Sequence, residues 1–146
     1  MVATNREIRV GSALMIVDGD RVLLGRRAKH PNFGRWVLPG GKVEFGETHE
    51  VAAKREAKEE LNLDVDLIHL AGKGVYHLIS DTEHRMIVYT LAKKADGELQ
   101  ASSDISEARF VSRDELRRLD LTEIVKQVLR DEGWLEPPLE TVCREE

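Results

Sequence analysis

From Leu38 onward the chain reads LPGGKVEFGETHEVAAKREAKEELNL, which sets Glu47, Arg55, Glu56, Glu59 and Glu60 on or beside one short stretch directly after the turn Leu38-Pro39-Gly40-Gly41. Glu56 and Glu60 are four residues apart, so a helix stacks them on one face, with Glu59 beside them. Carboxylates packed in this way repel one another unless a cation stands among them, and hard cations take oxygen ligands. The two glycines carry no side chain, so bare backbone can come close to the acids. The chemistry implied is the holding of a divalent cation.

The spacing resembles the Nudix box, G-x5-E-x7-R-E-U-x-E-E-x-G-U with U apolar, at Gly41, Glu47, Arg55, Glu56, Ala57, Glu59, Glu60, Asn62 and Leu63. Every charged position is present. Ala57 is a small version of the apolar position, and Asn62 replaces the glycine after the helix. Asparagine is the best non-glycine occupant of the left-handed conformation common there, so a modest stability cost is expected and no loss of activity. The flanking WVLPGG and EFGET fit the same family, and the resemblance extends over about residues 7–133.

That resemblance implies a hydrolase that cleaves a pyrophosphate bond in nucleoside diphosphate derivatives. It assigns Glu56, Glu59 and Glu60 as ligands of Mg²⁺, with Mn²⁺ substituting, Glu60 being the most central and the Gly40 carbonyl completing the set. Arg55 is expected to pair its fork with Glu47 and Glu59 and hold the loop to the helix without touching substrate. The catalytic base is a box glutamate or a later carboxylate; Glu56 leads, Asp104 follows, and Glu107 is the third candidate, with Glu59 also counted among the catalytic acids. Glu50, Lys54 and Lys58 lie outside the pattern and read as surface charges.

Cleavage sends water onto phosphorus while charge builds on the bridging oxygens. Arg26, Arg27, Lys29 and Arg35 cluster ahead of the box, and Arg26, Arg27 and Arg35 are the candidates to face phosphate; a solvated basic loop is the alternative. Where relatives acting on ADP-ribose carry a proline beyond the box, this chain has Ile79 and Ser80. Where those acting on dinucleoside polyphosphates carry a tyrosine, it has Asp81 and Thr82, and Tyr76 falls short. LLGRR and NFGRWVLPGGKVEFGE resemble the nucleoside triphosphate branch, giving monophosphate and pyrophosphate. The alternatives are an ADP-ribose or nucleotide-sugar pyrophosphatase and a non-catalytic nucleotide-binding module.

The positioning elements follow from pattern. Residues 8–17 and 22–24 read as a hairpin across Asp18-Gly19-Asp20. Residues 26–35 form an overhanging loop, and 36–38 a short strand. A helix spans 48–61 with Thr48 as N-cap. Strands follow at 65–70, 74–79, 85–92 and 108–111, then a short helix opened by Ser112 and Glu115 as a capping box, then an amphipathic helix over 121–130 carrying Ile124, Val125, Val128 and Leu129. The fold expected is α/β: a Nudix-type α/β/α sandwich with a mixed β-sheet and a loop-helix-loop box.

The 146 residues suit one domain, placed at 1–136, with 137–146 as a flexible tail that Pro137-Pro138 separates from the last helix. A net charge of -5 argues against nucleic-acid backbones as partners and leaves a small nucleotide substrate. The lone Cys143 and the lack of an apolar leader or span point to a cytoplasmic protein away from membranes, monomeric or homodimeric. Histidines 30, 49, 69, 77 and 84 share no metal-like spacing and read as structural or surface groups. Trp36, Phe33 and Tyr76 could stack on a base or serve as packing.

Overall fold

The computed structural model describes residues 6–137. All of the expected tail after Pro137, with Cys143, lies outside them. Strands β1 (Arg9–Asp18), β2 (Arg21–Arg27), β3 (Trp36–Val37) and β4 (Gly40–Lys42) precede helix α1 (His49–Leu61). Strands β5 (Asp64–Ile79), β6 (His84–Asp96) and β7 (Ile105–Ser112) follow, then α2 (Arg113–Leu116) and α3 (Glu123–Asp131).

They form one mixed sheet in the order β3-β2-β1-β6-β5, with β4 on β1 and β7 on β2. β1 runs parallel to β6 and antiparallel to β2 and β4. Side chains alternate across a strand, and β1 is buried on both faces. Leu14 and Ile16 pack with Leu23 against Ala53, Ala57 and Leu61 of α1. Ala13 and Met15 pack with Val22 and Leu24 against Val125, Val128 and Leu129 of α3. The sheet therefore lies between α1 and α3, as the α/β/α expectation required.

The structure departs from the sequence pattern in four places. β5 is one strand where two are expected, because Gly72 and Gly74 adopt positive φ (56° and 84°) within a bulged stretch and do not end the pairing. β7 starts earlier than the apolar run, at Ile105. The glycine turn is itself a strand, β4, whose Gly40 faces Ala13 of β1. β2 continues through Arg26 and Arg27, which are therefore strand residues pointing to opposite faces and not members of one loop.

The caps agree with the pattern. Thr48 accepts a hydrogen bond from the Val51 N–H. Asn62 sits at φ 60°, ψ 35° and also donates from Nδ2 to the Glu98 carbonyl. Ser112 accepts from the Glu115 N–H. The return bond of a capping box does not form, since the Glu115 carboxylate pairs with Arg109.

Candidate active site

The acids of α1 lie over the glycine strand. A Cβ on Gly40 would stand 2.4 Å from the Ser12 carbonyl oxygen, and one on Gly41 would stand 2.3 Å from Glu56 Oε2. Only glycine lets β4 lie so close to both β1 and the helix. The Gly40 N–H donates to Glu60 Oε1 at 3.2 Å.

Arg55 holds this arrangement together. Its Nε donates to Glu47 Oε2 at 2.7 Å and its Nη2 to Glu47 Oε1 at 2.9 Å. Nη2 also reaches the Lys42 carbonyl at 2.9 Å, while Nη1 reaches Glu56 Oε2 at 2.9 Å and Glu59 Oε1 at 3.3 Å. Every N–H of the guanidinium is thus engaged, joining the loop, β4 and two acids of the helix, including the expected pairing with Glu47 and Glu59. In return the Arg55 hydrogen bonds hold the Glu47 carboxyl down at about 2.

Glu60 is 6% exposed. Burial first, and then the Glu56 charge, push its carboxyl up to about 8, against the opposing bond from Gly40. Glu56 is raised as well, by burial, with Arg55 opposing. The Asp104 charge adds to both shifts.

Asp104 reaches this neighbourhood because the segment before β7 is stitched to the end of α1. The Gln100 N–H donates to the Leu61 carbonyl, the Ser102 N–H to the Glu60 carbonyl, and the Ser102 hydroxyl to the Glu59 carbonyl at 2.6 Å. Asp104 then pairs with Lys29 at 2.8 Å, and its carbonyl accepts from Ala28. Glu107 goes elsewhere. It faces Arg26 across β2 and β7, on the sheet face that carries Leu24 and Val22, and pairs with Arg109 at 3.3 Å. Strand alternation puts it on the opposite face from the α1 acids.

The three arginines divide. Arg35 binds Asp120, Asn32 and the Leu121 carbonyl, which makes it a brace between the loop and the start of α3. Arg26 lies on the α3 face with its guanidinium 5.9 Å from the Trp36 ring centroid. Arg27 shares the α1 face, and its charge acts on Glu60. Trp36 and Tyr76 are 5% and 4% exposed and belong to the core; the Tyr76 hydroxyl donates to Asp131 at 2.6 Å.

Two contributors escaped the sequence pattern. Ser102 fixes the Asp104 segment, and Ser12 donates from its hydroxyl to the His49 carbonyl at 2.7 Å, tying β1 to the first turn of α1. A serine carries no spacing signal, so only tertiary contact exposes either role.

Among the described residues no three His, Cys, Asp or Glu side chains converge as they would around an ion. The reason is local: Arg55 Nη1 stands between Glu56 and Glu59, and Glu60 is turned to the Gly40 N–H. The donor chemistry nonetheless fits a hard divalent cation. Glu56, Glu59, Glu60 and Asp104 supply only oxygen, β4 adds backbone carbonyls where Gly40 and Gly41 leave room, and the acids raise one another's proton affinity.

An acid-bearing helix laid over a glycine strand that pairs with the central strand β1 makes an oxygen-rich site of the kind that suits a hard divalent cation. The NUDIX domain model matches residues 7–131, and the chain belongs to the Nudix hydrolase family, whose members are pyrophosphohydrolases acting on phosphorus-containing anhydrides. It is similar to an oxidized purine nucleoside triphosphate hydrolase of Danio rerio, 37% identical over 92 residues, which cover 63% of this chain and 59% of that one. It is also similar to an ADP-ribose pyrophosphatase of Methanocaldococcus jannaschii, 34% identical over 118 residues, covering 80% of this chain and 70% of the relative. Against the first two curated relatives the chain spans only 59% and 48% of their length. A crystal structure of a MutT NUDIX hydrolase from Burkholderia pseudomallei superposes with a TM-score of 0.73 at 30% identity, covering 86% of this chain and 98% of the other.

Proposed function

We propose that this protein is a divalent-metal-dependent hydrolase that cleaves a nucleoside triphosphate to the monophosphate and pyrophosphate, with Mg²⁺ as the cofactor and Mn²⁺ as its substitute. The observation that carries this reading is the pairing of buried Glu60 with Glu56 over Gly40 and Gly41. Glu56, Glu59 and Glu60, with the Gly40 carbonyl, would hold the cation. When bound, it would offset charge on the phosphate oxygens and lower the pKa of an attacking water.

In the hydrolysis a water oxygen bonds to phosphorus, the anhydride P–O bond breaks, and the water proton passes to a carboxylate. Glu56 and Asp104 are the two candidates to take it, supported by the mutual charge effects that link them to Glu60. Arg55 keeps Glu56 oriented through Nη1, and Lys29 does the same for Asp104. Arg27, whose charge acts on Glu60, is the side chain we assign to phosphate.

A second reading, hydrolysis of ADP-ribose or a nucleotide sugar, draws on the M. jannaschii relative, whose match covers more of this chain than that of the D. rerio protein. The cytoplasm is the compartment this reading assumes; among the described residues no helix is long and apolar enough to cross a membrane.

Product analysis tests both readings. Triphosphates, ADP-ribose and nucleotide sugars are incubated with and without Mg²⁺, beside Glu60→Gln. Mg²⁺-dependent pyrophosphate from a triphosphate supports the first reading, and a sugar phosphate supports the second. Full turnover in Glu60→Gln would overturn the metal assignment.

A further inference from the structure

The hairpin of β5 and β6 brings together two histidines that the sequence separates and that have no place in the acid cluster. His77 is the cross-strand partner of Met86, and His84 is the partner of Ile79, so all four share one face of the sheet. His77 Nδ1 lies 3.1 Å from His84 Nε2, with the rings tilted at 51° and their centroids 5.4 Å apart. Met86 pairs on its other side with Val10 of β1. This is the face that carries α1, but the helix leaves Val10, Val75 and Ile79 40%, 37% and 68% exposed. A cavity of about 250 Å³ opens beside His84, lined also by Glu7, Arg9, Thr82 and Glu83.

We propose that His77 and His84 form a two-imidazole clamp for a late first-row transition-metal ion, of the class Ni²⁺, Cu²⁺ or Zn²⁺. The site is independent of the Mg²⁺ reading of the acidic cluster, and its donors are of the opposite kind: imidazole nitrogen, with the Met86 thioether on the same face, where the other site offers only oxygen. Two nitrogens each about 2.0 Å from one ion stand roughly 2.8 Å apart at a right angle and roughly 3.3 Å apart at the tetrahedral angle. The observed separation falls between these values.

Without the ion, the same distance is a hydrogen bond between the two rings. One nitrogen of the facing pair carries a proton and the other accepts it. On binding, the donor ring moves that proton to its outer nitrogen, and both facing lone pairs turn to the metal. The hairpin register brings the two rings within reach of one ion, but their facing nitrogens lie nearly end to end, so both rings must swing for their lone pairs to converge on it. The other three histidines offer no such pair. His30 lies against Phe33, His49 against Glu50, and His69 against the Leu70 carbonyl.

The test is a titration of the full chain with Zn²⁺ in excess Mg²⁺, followed by calorimetry and by the imidazole proton resonances. Expected is one equivalent bound, with the His77 and His84 resonances shifting together. His77→Gln and His84→Gln should each lower the affinity about tenfold or more, because either change leaves a single nitrogen donor. Both positions are at the surface of the hairpin, and circular dichroism of each variant checks the fold. Mg²⁺-dependent turnover should be unaltered in both. Unchanged Zn²⁺ affinity in either variant, a shift confined to one ring, or displacement of the Zn²⁺ by Mg²⁺ would overturn the proposal.

Discussion

Glu56 Oε2 lies 2.3 Å from the point where a Cβ on Gly41 would stand. Gly41→Ala must therefore push the end of a flexible carboxylate side chain, which costs the fold little and displaces a proposed metal ligand. Turnover should fall about 10- to 100-fold with a near-native melting temperature. Gly40→Ala meets backbone instead, at 2.4 Å from the Ser12 carbonyl oxygen and 2.6 Å from Ala13 Cα. It should destabilise the protein by about 2–3 kcal/mol. Thermal melts beside initial rates separate the two neighbours.

Arg55 is a test of geometry more than of charge. Arg55→Lys keeps the positive charge but cannot bridge Glu47, the Lys42 carbonyl, Glu56 and Glu59 at once. Mg²⁺ affinity and turnover should drop about 10- to 100-fold in both Arg55→Ala and Arg55→Lys. A lysine variant with native activity would show that charge alone suffices.

The pH dependence of the chelated protein follows from two shifts of opposite sign. Glu60 rises from 4.5 to about 8, so the folded state binds its proton more tightly. Its contribution to stability is present below pH 4.5 and is lost as the pH rises towards 8. Glu47 falls from 4.5 to about 2, so its contribution is present above pH 4.5 and is lost as the pH falls towards 2. Urea melts in EDTA should show Glu60→Gln flattening the neutral slope and Glu47→Gln flattening the acid one. Added Mg²⁺ should remove the Glu60 slope in the native chain.

Substitutions divide the remaining charged candidates. Asp104→Asn should slow turnover, whereas Glu107→Gln, on the opposite face, should leave it within about twofold. Arg27→Ala should raise KM. Arg35→Ala should leave KM unchanged and cost about 1–2 kcal/mol of stability, since its partners are Asp120, Asn32 and the Leu121 carbonyl. Steady-state kinetics with denaturant melts reads both quantities.

Much of the site was legible before any coordinates. Thr48, Asn62 and the spacing of Glu56 and Glu60 follow local rules, since helix periodicity and capping act over a few residues. The Arg55 fork was expected for the same reason, its partners being a loop and one helical turn away. Pairing across the sheet was less legible. Gly72 and Gly74 read as a break because a glycine signals both a turn and a bulge, and only the β6 ladder shows which applies.

The sequence alone determined the acid box, the glycines that admit it and the family they belong to, because these depend on residue types at short, fixed intervals. Tertiary structure decided which distant charges join them. Strand alternation sent Arg27 to the acids and Arg26 away, and the Ser102 contacts carried Asp104 in while Glu107 turned to the other face. It also decided that His77 and His84 meet. Such outcomes depend on register, where a shift of one residue reverses every face, and no short interval in the chain records it.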